Sequence, residues 1–571
     1  MSAYDKDGSA VYEKDKVGSS DNVSPTRYEH NGDIDVESQP GQNPLLRKLK
    51  NRHMQMIAIG GSIGAGLFIG SGSALGTGGP GSLTIDFIIV GVMMLMTVNA
   101  LGELAVMYPV NGAFFTYSAR FIDPSWGFAM GWNYAMSWLV VFPFELIAAS
   151  VTIRFWTGND NDENATINDG VWIAVFLVII IFVNVFGIRG YGEVEFVLGT
   201  IKVIAVIGFI LTGIIINCGG VPTDTRGYIG AQYWHAPNQA FKNGFKGFCS
   251  NGFKGFCSVF VTAAFAFAGT ELVGLAAAEA DNPRKSLPKA TKQVFWRVSL
   301  FYVVSLFILG LIIPSNDPLL SKASGANSKY SPFVRAFQQA NIKVLPSIMN
   351  AVITLSVISV ANSSTFGSTR TIQALALHGM APGWFKKVDK HGRPWVAMTF
   401  ALAFGFLAFI RLSADGGEVF DWLLALSGLS SFFTWGSICL AHICYRRAWK
   451  LAGRGLEELP FAAMFGVTGS WIGFLLNVLC LIASFYVALF PVGGPDLDAK
   501  GFFKSYLAGP CVIVFFVGHK IYSRTLKFGV NLHSVDVDAG RRELNLGEEM
   551  EAERAAYRAL PFWKKVWNFW F

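Results

Sequence analysis

Three ionisable residues, Glu145, Lys202 and Glu271, stand inside long apolar segments of this 571-residue chain. A charged side chain at the centre of a membrane costs at least about 2.5–3.5 kcal/mol, so each of them requires a reason. Burial disfavours the charged form of an amine, so a lysine at this depth can take up and release a proton. Lys202 is therefore a candidate proton carrier. The alternative is a structural ammonium group capped by carbonyl oxygens of the first apolar segment.

Three acidic residues of the apolar segments are candidates for a role in the function: Glu271 and Glu145, named above, and Glu103. Glu271 follows a glycine-containing interruption, where the N-terminus of a helix favours a carboxylate. It is expected to gate a site or to contact a substrate, or else to cap the helix. Glu145 is expected to partner Lys202 or line the path, with a buried structural pair as the alternative. Glu103 lies near the end of its segment, where it is either a gating residue or a structural clasp.

The composition indicates an integral membrane protein. Apolar residues make up 52% of the chain and charged residues 15%, and the charged share falls to about 11% between 54 and 518. Soluble domains are about 25% charged, so a soluble enzyme, a disordered chain and a secreted disulfide scaffold are excluded. The net charge of +7 is not gathered on one domain, so no nucleic acid partner is expected. Without metal-ligand spacing, a nucleophile motif or a Walker A loop, the sequence predicts no enzyme and no metal.

Apolar runs of about 20 residues predict an all-α polytopic membrane protein with 12 transmembrane helices. The predicted spans are 54–78, 82–108, 126–153, 171–188, 192–216, 256–280, 294–314, 346–374, 395–412, 417–444, 467–490 and 507–523. Basic residues concentrate in short loops on one side, so the positive-inside rule places both termini in the cytoplasm. Three other charged residues near span ends are expected to be solvated or snorkelled: Asp86, Arg370 and Asp421.

Spans one and six both contain glycines at their centres. Gly60, Gly61, Gly64 and Gly66 cluster in the first, and Gly269 interrupts the sixth. Interruptions at matching positions of two five-helix halves indicate a 5+5 inverted repeat with discontinuous helices 1 and 6, plus two extra helices. Free N–H groups at one half-helix end hold an anion and free carbonyls hold a cation, which suits an α-amino acid zwitterion. Close helix packing through glycine is the alternative.

The expected organisation is a transporter domain between two cytoplasmic tails. The tails are 1–53 and 524–571, and the domain 54–523 comprises a first repeat (54–217), a second repeat (253–445) and helices 11 and 12 (467–523). The tandem repeat NGFKGFCS (243–258) is expected to be a loop insertion just outside the sixth span, and whether it is genuine is open. A disulfide among Cys218, Cys249 and Cys257 has no unique pairing.

The chain resembles the fungal amino acid permeases of the amino acid–polyamine–organocation superfamily, and most closely the general amino acid permeases. The stretches that carry the resemblance follow the family's order: GGSIGAGLFIGSG (60–72), ALGELAVMYPVNGAF (100–114), NYAMSWLVVFPFELIAAS (133–150), FAFAGTELVGLAAAE (265–279), GMAPGWFKKVDKHGRP (379–394) and FDWLLALSGLSSFFTWGSICLAHI (420–443). The resemblance implies a LeuT-like fold and a substrate held largely by backbone.

Carried over by position, the resemblance implies that N–H groups of Ala65 and Gly66 bind the substrate carboxylate. Carbonyls of Ser62, Phe265 and Ala268 would bind the ammonium group. The full set of expected substrate-binding residues is Ser62, Ile63, Gly64, Ala65, Gly66, Phe265, Phe267, Ala268 and Glu271, with Lys202 and Glu145 in proton coupling. The side-chain pocket is expected to be formed by Met136, Ser137, Val140, residues near Phe267 and Ser427–Ser430.

The function implied by the resemblance is proton-coupled uptake of amino acids of broad specificity across the plasma membrane, with no cofactor besides the proton. A narrow permease for proline or basic amino acids and an amino acid sensor of the same fold are the alternatives. The expected partners are amino acids and the lipid bilayer. The resemblance also implies ubiquitin attachment to the N-terminal lysines Lys6, Lys14 and Lys16, against a solvated tail without a role.

Overall fold

The apolar segments of the sequence form helices in the structure, a computed structural model. The structure describes residues 49–157, 168–244, 252–321, 331–390, 392–412, 416–541, 559–561 and 563, and these belong to one unit spanning 35–571. Several residues singled out from the sequence lie outside this description: Lys6, Lys14, Lys16, Cys249 and the side chain of Asp421.

The described ranges form eighteen α-helices and no named strand. The helices are α1 (Asn51–Gly60), α2 (Ser71–Met107), α3 (Ala113–Phe121), α4 (Pro124–Thr157), α5 (Asp169–Val185), α6 (Gly187–Asn217), α7 (Phe253–Phe267), α8 (Leu272–Ala276), α9 (Pro283–Arg297), α10 (Ser305–Ile312), α11 (Pro318–Ser321), α12 (Pro332–Gln339), α13 (Leu345–Leu377), α14 (Trp395–Ala403), α15 (Gly416–Leu451), α16 (Gly466–Leu489), α17 (Ala499–Tyr506) and α18 (Ala508–Tyr522). Two π-helical segments, Gly66–Gly70 and Val298–Val304, continue α2 and α10 towards their N-termini.

Eight of the described helices are long and apolar enough to cross a membrane, or nine if the bent pair α17–α18 counts as one span. The protein is therefore a multi-pass membrane protein. One of the eight, Gly66–Met107, contains 42 residues, about twice the length that a bilayer requires. Twelve spans and the inverted repeat stay predictions.

The helix Gly66–Met107 bends at Gly79, close to the predicted boundary between spans one and two. Gly79 has φ 85°, and Pro80 follows it. Glycine adopts this positive φ without steric cost, and proline cannot donate a backbone hydrogen bond to the preceding turn. A Cβ atom at Gly79 would lie 2.6 Å from the carbonyl oxygen of Ala240, so the bend also admits a close neighbour.

Both predicted interruptions are present. The first lies at 61–65, between α1 and the π-helical segment Gly66–Gly70, and the second at 268–271, between α7 and α8. The helices that follow the two interruptions are short or irregular, since α8 has five residues and passes into a 3-10 turn. Backbone groups at these four helix ends are therefore free to bind other groups.

The tandem repeat is not wholly a loop, which corrects the expectation from the sequence. Its second copy enters α7, which begins at Phe253, whereas 245–251 lie outside the described residues. The helix begins there because Gly252, with φ 63°, turns the chain immediately before the apolar run. Cys218 and Cys257 are free thiols.

Asp86 and Arg370 are buried, which corrects the expectation that both are solvated or snorkelled. Asp86 is fully buried in α2, and its carboxylate oxygens have no hydrogen-bond partner among the described residues. It is near enough to Cys257 and Cys480 to interact with them electrostatically. Arg370 pairs with buried Glu279 at 2.9 Å. Snorkelling fails at both positions because neighbouring helices cover the side chains.

The described part of the C-terminal segment, 523–541, packs against the end of α3 and the start of α4. Lys520 donates to Asp123 at 2.7 Å, and the N–H of Gly529 donates to the same carboxylate at 2.9 Å. The hydroxyl of Tyr108 donates to the carbonyl of Val537 at 2.6 Å. This part of the predicted C-terminal tail is therefore attached to the helical core.

Candidate functional site

A small cavity lies where the two interruptions meet α4, α13 and α15. Its lining residues are Ser62, Gly64, Gly66, Tyr134, Ser137, Trp138, Val141, Glu145, Phe265, Ala268, Glu271, Val360, Ser427, Ser430, Ser431, Thr434 and Trp435. The cavity volume is about 20 Å³, which is room for roughly one water molecule. A substrate larger than water therefore enters only if the helices move apart.

The two interruptions pack directly against each other because glycines leave room for it. A Cβ atom at Gly269 would lie 2.5 Å from the carbonyl oxygen of Gly61, and one at Gly66 would lie 2.6 Å from Cα of Ala266. The hydroxyl of Tyr302 ties the two together, since it donates to the carbonyl of Ala266 at 2.8 Å and lies 3.2 Å from Oγ of Ser62. The backbone of both interruptions is thus presented to one small volume.

Six of the nine substrate-binding residues expected from the sequence line this cavity: Ser62, Gly64, Gly66, Phe265, Ala268 and Glu271. Ala65 lies close to Glu145, which lines the cavity, whereas Ile63 is buried and is not among the lining residues. Phe267 does not line the cavity either, and its ring stacks 4.1 Å from that of Tyr302. The structure therefore places Ile63 and Phe267 outside the cavity lining.

The residues expected in the side-chain pocket lie on two different surfaces. Ser137, Ser427 and Ser430 line the cavity. Met136 and Val140 instead line a separate apolar groove. Helical geometry explains this separation. Residues four apart lie on the same face of a helix, so 136 and 140 share one face of α4, and 137 and 141 share the adjacent face.

Glu271 is held by three donors from different parts of the fold. Its carboxylate accepts hydrogen bonds from the hydroxyl of Tyr134 at 3.1 Å, the indole N–H of Trp435 at 3.2 Å and the N–H of Gly269 at 3.2 Å. It therefore links the second interruption to α4 and α15. Glu271 lines the cavity, whereas its side chain makes no hydrogen bond that caps α8.

Glu145 lies beside the backbone N–H group that the family resemblance assigns to a substrate carboxylate. Its side chain is 1% exposed and is close enough to Ala65 to interact with its N–H group, while its Oε2 has no hydrogen-bond partner among the described residues. Lys202 attracts it electrostatically from the other side of the interruption. A free carboxylate arriving at Ala65 would therefore compete with Glu145.

Lys202 is a fully buried residue of α6, and its side chain contacts the C-terminal end of α1. Its ammonium group donates to the carbonyl of Gly60 at 2.6 Å and to Oγ of Ser359 at 2.8 Å. The same hydroxyl donates to Glu195 at 2.8 Å. The contact with a carbonyl of α1 is the one that the structural alternative expects, and it is equally available to a lysine that changes its protonation.

Arg297 is a buried cation that the sequence reasoning missed. It is 1% exposed, and its guanidinium donates to Oγ1 of Thr270 within the second interruption. It is close enough to Glu271 and Tyr302 to interact with both electrostatically. A positive charge is therefore fixed beside the cavity, on the α9 side.

Around the interruptions, the described residues include five buried side chains that are carboxylates, amines or guanidinium groups: Glu145, Glu195, Lys202, Glu271 and Arg297. Three are carboxylates and two are cations, so one carboxylate has no cation to balance it. An uncompensated charge is costly in a medium of low dielectric constant. The cluster therefore reaches neutrality when it binds one proton.

Glu195 and Arg297 were missed because apolar runs mark where a helix enters the membrane, not where it begins. The predicted spans begin at 192 and 294, whereas α6 begins at Gly187 and α9 at Pro283. Both residues thus looked terminal, although Glu195 lies about two turns inside α6 and Arg297 lies about four turns after the start of α9, where the π-helical segment Val298–Val304 continues the chain. The polar face of α15 carried a usable signal, since Ser427, Ser430, Ser431 and Thr434 follow an i, i+3, i+4, i+7 pattern.

Glu103 forms a clasp distant from the cavity. Its carboxylate pairs with Arg446 at 2.6 Å and with His442 at 3.0 Å, and it accepts the N–H of Ala463 at 2.7 Å. These contacts join α2 to α15 and to the segment before α16. The geometry favours the structural interpretation of Glu103.

We expect Glu103→Gln to lower the free energy of unfolding by roughly 3 kcal/mol, because Arg446 would remain buried without its counter-charge. Thermal unfolding of the purified protein in detergent measures the effect. Glu458→Gln is the matched control, since Glu458 is one-third exposed and pairs with Arg454, four residues before it. A shift of equal size in the two variants would contradict the clasp.

Comparison with known proteins covers nearly the whole chain. A family model described as amino acid permease matches residues 53–529. The general amino-acid permease GAP1 of Saccharomyces cerevisiae is 51% identical over 537 residues, which cover 93% of this chain and 86% of the relative. The general amino-acid permease GAP2 of Candida albicans is 51% identical over 531 residues (92% and 87%). Cationic amino acid transporter 1 of Schizosaccharomyces pombe is 52% identical over 528 residues (91% and 86%).

Proposed function

Because the chain belongs to the amino acid permease family, we propose that it couples proton entry to the uptake of a broad range of amino acids across the plasma membrane. Membership in the family makes the protein an amino acid transporter and not an enzyme. The observation that carries the proposal is the placement of Glu145 and Lys202 on the two ends of the first interruption.

Broad specificity follows from the use of backbone groups. Every α-amino acid carries the same carboxylate and ammonium group, and N–H and carbonyl groups of the interruptions can bind both. The side chain would then meet the hydroxyl-rich face of α15 together with Trp138 and Trp435. Hydroxyl groups both donate and accept hydrogen bonds, so such a wall tolerates different side chains.

Proton coupling follows from competition at Ala65. While Glu145 is ionised, its charge lies close to the Ala65 N–H and competes with a second carboxylate for that group. A proton on Glu145 removes its charge and frees the N–H for the substrate carboxylate. Substrate and proton therefore favour each other's binding, which is the reciprocal coupling that a symporter requires.

The small cavity supports alternating access. Its volume of about 20 Å³ is too small for an amino acid, so the helices must part for substrate to enter, and in this fold they part on one side at a time. In the proposed topology both termini are cytoplasmic.

We also propose that Lys6, Lys14 and Lys16 serve as ubiquitin attachment sites. Replacing these lysines and measuring the turnover of the permease tests this proposal.

A competition experiment tests the breadth of specificity. One labelled neutral amino acid is taken up at several external pH values against an excess of each of the twenty unlabelled amino acids. We expect neutral, acidic and basic amino acids to inhibit, and uptake to rise as external pH falls. Accumulation against a gradient separates a transporter from an amino acid sensor.

The competing proposal is a permease for basic amino acids. It is supported by Glu271, a carboxylate on the cavity wall, and by a relative named cationic amino acid transporter at a similar level of identity. Inhibition by lysine and arginine alone would replace the broad proposal with this one.

A further inference from the structure

Glu195 is a buried carboxylate whose role the substrate site does not explain. It lies eight residues after the start of α6, about 12 Å along the helix, and is fully buried. Its position against α1 depends on Gly60, because a Cβ atom there would lie 2.5 Å from Oε1 of Glu195. Such a residue inside a membrane protein requires a functional or structural reason.

The hydrogen bonds of Glu195 come from hydroxyl groups of α13. Oγ of Ser359 lies 2.8 Å from each carboxylate oxygen, and Oγ of Ser363 lies 3.5 Å from Oε2. Ser359 also accepts a hydrogen bond from the ammonium group of Lys202 at 2.8 Å. A hydroxyl has one proton and two lone pairs, so it can accept from Lys202 and donate to Glu195 at the same time.

We propose that Lys202, Ser359 and Glu195 form a proton relay in which Glu195 receives the proton from the substrate site. The inference rests on the proposed proton coupling and adds the residue that accepts the proton. In the transfer, an N–H bond of Lys202 breaks while an O–H bond forms on Ser359. The original O–H bond of Ser359 breaks while an O–H bond forms on Glu195. Lys202 ends as a neutral amine and Glu195 as a carboxylic acid.

The low dielectric constant of the protein interior favours this proton transfer. The transfer converts two buried charged groups into two neutral groups, so neither group then carries the cost of a buried charge. It also weakens the contact between Lys202 and the carbonyl of Gly60, because a hydrogen bond from an ammonium ion is stronger than one from an amine. The end of α1 is thereby released as the proton leaves the site.

Other charged and titratable groups face the relay from five helical segments. They are Glu145 of α4, Tyr191 of α6, Arg297 of α9 and, beyond Tyr191, the pair of Glu279 and Arg370. Arg297 repels the protonated form of Lys202, whereas Glu145 attracts it. Protonation of Glu145 when substrate binds removes that attraction and favours transfer towards Glu195.

In the relay, the proton moves from Lys202 towards the end of the molecule at which α1 and α6 begin. Arg52 of α1 and Glu193 of α6 form an ion pair at this end. Glu195 precedes Lys202 by seven residues, about 10 Å along the helix. In the proposed topology that end is cytoplasmic, so the proton travels inward together with the substrate.

The test uses the full-length protein in liposomes that contain a pH-sensitive dye. Substrate added outside should acidify the interior of vesicles with the wild-type protein. For Glu195→Gln and Ser359→Ala we expect acidification to fall by about 100-fold, the scale typical of a lost proton-transfer group. Exchange of labelled for unlabelled substrate, which moves no net proton, should persist in both variants.

Matched controls lie on the same helices. Glu193→Gln removes a carboxylate that is 52% exposed, and Ser356→Ala removes a buried hydroxyl that bonds only to the carbonyl of Val352 at 2.7 Å among the described residues. Both should acidify the vesicles like the wild type. Wild-type acidification rates in Glu195→Gln would overturn the relay, as would a loss of exchange together with acidification. A wild-type protein that exchanges substrate without acidification would instead overturn the proposed proton coupling.

Discussion

Replacing Lys202 by methionine is expected to abolish the accumulation of amino acids driven by a pH gradient while the protein still inserts into the membrane. Methionine has a similar length but no ammonium group, so the hydrogen bonds to the carbonyl of Gly60 and to Ser359 are lost. Glu145 and Glu195 also lose the cation that attracts both. The ratio of internal to external label at an external pH below the internal pH measures the effect.

Lys254→Met is the matched control for this variant. Lys254 stands at the start of α7, and its ion pair with the exposed Asp496 is loose, at 3.7 Å. Its replacement should leave accumulation intact. Normal accumulation in Lys202→Met, with surface labelling equal to that of the wild type, would show that the lysine is only a structural ammonium group.

Replacing Gly269 by alanine is expected to have the second large effect, a loss of transport of more than about tenfold. Gly269 has φ 97°, a conformation that costs a residue with a side chain roughly 1–2 kcal/mol. The added Cβ atom would also lie 2.5 Å from the carbonyl oxygen of Gly61, which belongs to the backbone and cannot rotate away. The two interruptions would be pushed apart, and the backbone groups that bind substrate would move with them.

Initial uptake rates, normalised to the amount of protein at the cell surface, measure this loss. Gly208→Ala is the control, because Gly208 lies within α6 and a Cβ atom there would have no neighbour within 4 Å. It should retain the wild-type rate. Equal rates in the two variants would mean that the contact between Gly269 and Gly61 does not shape the site.

Much of the site was predictable from composition and local pattern. Charges inside apolar runs pointed to Glu145, Lys202 and Glu271, and all three lie around the interruptions. Glycines in two apolar runs predicted both interruptions, at 61–65 and 268–271. These signals are local, since a glycine or a charge in an apolar segment carries its energetic cost wherever the helix packs.

The errors concern which side of a helix faces which neighbour. Asp86 was expected to reach solvent, but α7 and α16 pack over α2 and bury it. Met136 and Val140 were placed on the cavity wall, but the rotation of α4 turns Ser137 towards the cavity instead. Neither the neighbours of a helix nor its rotation can be read from an apolar run.

The residue types thus established that this is a membrane protein, where its helices break and which charges stand at depth, because each follows from the cost of transferring a group into lipid. The packed fold established which of those groups meet. It joined Lys202 to Glu195 through Ser359, residues up to 164 positions apart in the chain, and placed Glu145 close to the N–H of Ala65. Hydrogen bonds act over about 3 Å, so such pairings depend on how helices pack and carry no signal in sequence spacing.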